Sequence, residues 1–158
     1  MVVRLNKLHA LVLVFCFLCV SFFFAVRAER KATHAAETPG RILPVVMYHH
    51  ITEKPGRAGK YVITANELRR DLEKIQQSGY VTVTVRDLID YVDGKKQLPE
   101  KIIMLTFDDG FESVRELAWP LLKEKQMCAE IFAVGSITET YSQNRDRNVN
   151  YAYLNWDD

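Results

Sequence analysis

Hydrophobic and polar positions divide the chain into an apolar leader, a patternless stretch and a long alternation of short apolar runs with amphipathic ones. Residues 1–28 carry Arg4 and Lys7 and then an uncharged run from Ala10 to Val26. Residues 29–41, ERKATHAAETPGR, show no periodicity and contain Pro39-Gly40, the composition of a linker. From residue 42 the pattern becomes regular. ILPVVMYHH is a short apolar run suited to a buried strand that ends at His49-His50, and ITEKPGRAGKY after it reads as a polar loop. Thr64 and Glu67 have capping-box spacing ahead of ELRRDLEKIQQ. There Leu68, Leu72 and Ile75 recur at helical spacing, and Ser78-Gly79 supplies the stop. YVTVT reads as a strand. Thr84 and Asp87 cap a second helix, VRDLIDYV, which stops at Gly94. KIIMLTF, after Pro99, is a strand that leads into Asp108-Asp109-Gly110. A third helix is expected from about Ser113 to Gln126, with either a kink or a late true start at Pro120. AEIFAVG is the next strand. Strands alternating with helices predict parallel βαβ units and an α/β class. At the end, Asn155 stands three residues before Asp158, an N-cap followed by an acidic first turn. The expectation drawn from it is a chain that stops inside a helix and is therefore incomplete.

Composition narrows the function classes. The 158 residues are 48% hydrophobic and 26% charged, a globular balance, and the net charge of +1 suggests no nucleic-acid partner. The leader has two readings. Val26-Arg27-Ala28 offers small residues at the positions a signal peptidase reads. The 17-residue run is also about 26 Å long as a helix, somewhat short of a hydrocarbon core of roughly 30 Å. Residues 1–28 are thus a signal peptide or an N-terminal anchor, with membrane attachment possible through residues 10–26. Either way the domain at 42–158 is exported, to the medium or the cell surface. Beyond the leader only Cys128 remains, so no internal disulfide forms. Its apolar neighbours suggest a buried, inert thiol.

LTFDDG carries the candidate chemistry. In a parallel α/β sheet, ligands sit beyond the carboxyl ends of the strands, where Asp108 and Asp109 fall. One carboxylate there can hold a divalent metal while its neighbour acts as base on a water molecule. Gly110 lets the backbone turn tightly beside a ligand. Alone, Asp-Gly after a strand is most often just a turn. Paired aspartates at strand ends also hold magnesium in phosphate-transfer domains, a reading that the leader and MYHHI oppose. His49 and His50 are placed to contact a substrate. Because neighbouring strand residues point to opposite faces, the two are not expected to chelate one metal. Phe107, Phe111 and Trp119 read as core or groove wall, and Trp156 as packing for the last segment.

IIMLTFDDGFES resembles the first motif of the polysaccharide deacetylases, carbohydrate esterase family four. LPVVMYHHI resembles their first strand, EIFAVG a later one, and YLNW the stretch before their second motif. Glu130 departs from the small residue common at its position. The resemblance implies the N-terminal portion of a distorted (β/α) barrel. It implies a hydrolase acting on carbon–nitrogen bonds other than peptide bonds, which removes N-acetyl groups from peptidoglycan or a poly-N-acetylglucosamine. It also implies a divalent metal, usually zinc, held by one aspartate and two histidines. Carried over residue by residue, Asp108 matches the general base and Asp109 the metal ligand. The two histidines belong to a His-x-x-x-His motif that this sequence does not contain. The expectation is therefore a truncated chain, inactive by itself, and the alternative is a non-catalytic, glycan-binding remnant.

Overall fold

The computed structural model describes residues 19–21 and 40–158. The leader and the linker otherwise lie outside the described residues, and no helix among those described is long and apolar enough to cross a membrane. Residues 43–158 form one compact unit. Its elements are β1 (Val45–Tyr48), β2 (His50–Thr52), a 3-10 turn (Pro55–Arg57), β3 (Val62–Thr64), α1 (Ala65–Gln77), β4 (Val81–Thr82), α2 (Val85–Val92) and β5 (Ile102–Asp109). A π-helical turn (Val114–Ala118), α3 (Trp119–Glu124), β6 (Glu130–Ala133) and α4 (Gly135–Asn144) complete it.

Every strand pair is parallel, as the βα alternation predicts. β5 is the centre. It pairs with β1 through Val45↔Met104 to Tyr48↔Phe107, with β4 at Ile102 and Ile103, and with β6 from Thr106 to Asp109. Ile102 to Phe107 are all buried, the continuous apolar pattern of a strand covered on both faces. Leu68 and Leu72 of α1 are fully buried with Ile51, Leu105 and Phe107, and Val114, Leu121 and Leu122 close the same core. A smaller cluster of Val83, Leu98 and Ile102 lies at the start of β5.

Both capping boxes are present. The Thr64 hydroxyl accepts from the Glu67 amide while Glu67 accepts from the Thr64 amide, and Thr84 and Asp87 repeat the exchange.

Several expectations are corrected. β1 is not buried along its length, since Val45 and Met47 are exposed and only Tyr48 is fully covered. The apolar run breaks at His49. His50–Thr52 leaves the main sheet and forms a separate parallel ladder with Val62–Thr64, where a polar loop was expected. β4 has only two residues. The third helix shows the late start that Pro120 allows, its α-helical part beginning at Trp119. It begins as a π-helical turn, and Pro120 falls in the first turn of α3, where its missing N–H costs nothing. Trp119 is 55% exposed, not core. Cys128 is only half-buried, its amide donating to the Thr82 hydroxyl at 2.9 Å. α4 has no counterpart in the sequence reading.

Candidate active site

The end of β5 builds the site. Asp109 and Gly110 are consecutive left-handed residues, with φ of 69° and 74°. A side chain at Gly110 would meet Ala133 Cβ at 2.9 Å and Cα at 3.2 Å, so β6 passes directly against the turn. Asp109 has no glycine's freedom, and a non-glycine residue held at positive φ stores strain of order 1–3 kcal/mol. The turn is clamped from the other side by the last segment. The Glu112 amide donates to the Ala152 carbonyl at 2.8 Å and the Leu154 amide to the Gly110 carbonyl at 2.7 Å.

The break after β1 brings the histidines to the same place. His49, His50, Tyr61, Val62, Asp109 and Phe111 line one open cavity of about 250 Å³. Both histidines reach the cavity, yet among the described residues they join no group able to hold a metal, in line with the expectation that they do not chelate one ion together. His49 lies between two strands, not within one, so the two-residue alternation does not apply. Asp108 is half-buried, pairs with Phe132 in the β5–β6 ladder, and is not among the residues lining the cavity. The structure thus brings Asp109 together with both histidines and leaves Asp108 beside them.

His50 is defined in unusual detail. Its Nε2 lies 3.2 Å from the Asn150 carbonyl oxygen. A carbonyl only accepts, so Nε2 carries the proton and Nδ1 is left with a lone pair. Nδ1 is buried and has no partner. Burial holds the imidazole pKa below its ordinary 6.5, partly offset by the bond to Asn150. The ring meets Phe111 edge-on with centroids 4.9 Å apart, Phe111 stacks on Tyr153 at 4.4 Å, and Tyr141 adjoins Tyr153 at 5.4 Å. Burial and then the Asp109 carboxylate push the Tyr153 hydroxyl up. His49 sits 5.1 Å from the Tyr61 ring.

One charged group behind the site was missed from sequence. Glu112 is completely buried. Its carboxylate accepts from Arg115 Nε at 3.0 Å and from Arg147 Nη1 at 3.1 Å. Arg147 also donates to Asp158 at 2.7 and 2.6 Å. The Glu112–Arg115 spacing of three residues is visible in the sequence, but Arg147 is 35 positions away and gives no local signal.

Residues 95–154 match the polysaccharide deacetylase family. Over these residues the chain is similar to the polysaccharide deacetylases. YxkH of Bacillus subtilis, which carries that family's name, is 30% identical over 116 residues, 70% of this chain and 40% of the relative. A poly-beta-1,6-N-acetyl-D-glucosamine N-deacetylase of Escherichia coli O157:H7 is 27% identical over 113 residues, 71% of this chain and 17% of the relative. In three dimensions, a de-N-acetylase from Aggregatibacter actinomycetemcomitans aligns with a TM-score of 0.62 at 28% identity, over 73% of this chain and 48% of that one. The chain therefore spans less than half the length of each. The mixed α/β architecture with parallel strands is that of part of a polysaccharide deacetylase domain.

Among the described residues no three His, Cys, Asp or Glu side chains stand close enough to hold a metal ion together. Catalytic zinc takes about three protein ligands. The cavity offers Asp109, His49 and His50 along its wall without that convergence, so these residues do not by themselves fit a tightly bound metal.

Proposed function

We propose that the domain serves a hydrolase of the polysaccharide deacetylase type, which removes N-acetyl groups from an extracellular or cell-wall glycan. The observation that carries this reading is the meeting of Asp109, held in a strained left-handed turn, with His49 and His50 at one open cavity at the carboxyl end of the central strand. The names of the relatives add that a poly-N-acetylglucosamine suits the substrate class. Asp108 is the base that accepts the proton of the attacking water, and Asp109 faces the ligand. His49 and His50 line the cavity where a sugar would lie, the buried His50 ring shaping its wall while Asn150 holds it in place. Phe111 and Tyr61 supply apolar wall. No step is routed through a metal, because the donors present do not fit one. The basic and apolar pattern of the leader supports export.

A second reading, a non-catalytic glycan-binding domain, is favoured by that same incomplete donor set. One experiment separates the two. The full chain, with millimolar zinc, is given an N-acetylglucosamine oligomer, and binding and acetate release are both measured. The hydrolase reading expects release that falls about 10²–10⁴-fold in Asp108→Asn, since an amide takes no proton from water. Binding without release establishes the second reading, and neither signal overturns both.

A further inference from the structure

Residues 147–158 do not line the cavity but pack behind the residues that do, and something must hold them there. Three contacts reach the site from this segment: the Asn150 carbonyl on His50, Tyr153 against Phe111, and the Leu154 amide on Gly110. The segment has little secondary structure of its own. Besides two backbone bonds to the turn and the buried Ala152 and Leu154, its anchorage is ionic. Glu112, two residues past Gly110, is fully buried and gripped by Arg115 of the π-helical turn and by Arg147 of the segment. Asp158 joins Arg147 at 2.6 Å and Arg115 at 3.4 Å, and accepts from the Asn155 amide at 2.9 Å. Buried ion pairs of this kind seldom add net stability over well-packed apolar side chains. They do fix geometry, because each carboxylate oxygen accepts only along defined directions.

We propose that Glu112 is a positioning residue of the cavity: its carboxylate, held by Arg115 and Arg147, fixes residues 147–155 over the Asp109–Gly110 turn and so sets the orientation of His50 and Phe111. Its consequence for turnover rests on the deacetylase reading. Its structural content does not, so the two can fail separately.

The test uses the labelled full chain and two nuclear magnetic resonance readouts. One is the imidazole Nε2–H signal of His50, which the bond to Asn150 shields from exchange with water. The other is hydrogen-exchange protection of the Leu154 amide relative to the Met104 amide, which is bonded to Pro44 inside the sheet. Glu112→Gln is expected to erase the His50 signal. It should lower Leu154 protection about 10- to 100-fold against Met104, the size expected for losing hydrogen bonds to a charged group. Leu72→Ala, which opens a hole in the core away from the segment, should leave both readouts unchanged. If Glu112→Gln does not fold, Arg147→Met carries the same readouts, because that side chain is partly exposed. Retention of the His50 signal and of the Leu154 ratio, with only overall stability lowered, would overturn the proposal.

Discussion

Asp109 and Gly110 show how much one turn can demand of two residues. Gly110 combines a φ of 74° with backbone of β6 at 3.2 Å from where a Cβ would stand. Gly110→Ala should therefore destabilise by about 1–3 kcal/mol, from left-handed strain and the clash with Ala133 together. Urea denaturation measures it, and a loss below a few tenths would mean that β6 moves aside freely. Asp109 tolerates the same region because a short polar side chain can, and it faces the cavity as a result. The metal question also belongs to single residues. With no three donors converging among the described residues, zinc should bind the full chain no more tightly than about millimolar at pH 7. A micromolar constant by calorimetric titration would show that these donors rearrange into a real site.

At the scale of elements, the capping boxes matter most. α2 starts at Thr84, whose amide and hydroxyl both meet the Asp87 carboxylate, while Lys96 closes on the same group. The hydrogen bond from Lys96, then the bonds from the Thr84 amide and hydroxyl, pull Asp87 from 3.8 down to about 2. A carboxylate depressed on folding contributes stability that is full above its unfolded value of 3.8. That contribution is lost as the pH falls from there through about 2. Asp87→Asn should therefore cost about 0.5–1.5 kcal/mol at pH 7, the usual net worth of a hydrogen bond. Near pH 2 the variant and the natural chain should converge. Urea midpoints at the two pH values check this, and an equal gap at both would assign the effect to shape, not charge. The caps were legible in the sequence because they are local: hydroxyl, carboxylate and two amides lie within four residues. β2 was not legible. His50–Thr52 becomes a strand only because Val62–Thr64, twelve residues on, lies beside it. No periodicity in ITEKPGRAGKY reports that pairing.

For the whole molecule, the parallel sheet leaves β6 as an edge. Ile131 and Phe132 are 46% and 53% exposed, and Trp119 beside them is more than half exposed. An apolar edge with unpaired backbone groups is a template for another chain. The 43–158 unit should self-associate at micromolar concentration, and Phe132→Lys, which puts a charge on that edge, should reduce the apparent mass in light scattering. Equal masses would place the association elsewhere. The sequence by itself determined the α/β class, the two capped helices, the central strand from Ile102 and the aspartate pair at its end. Each of these is written in spacings of two to four residues or in a continuous apolar run. Only the tertiary structure decided that His49 and His50 share a cavity with Asp109, that Trp119 faces water, and that Glu112 is buried between Arg115 and Arg147. Those outcomes depend on where a strand breaks, on which faces receive a covering layer, and on contacts up to 100 positions apart, as between His50 and Asn150. Burial and charge pairing over such distances are set by how the elements pack, and local pattern carries no record of it.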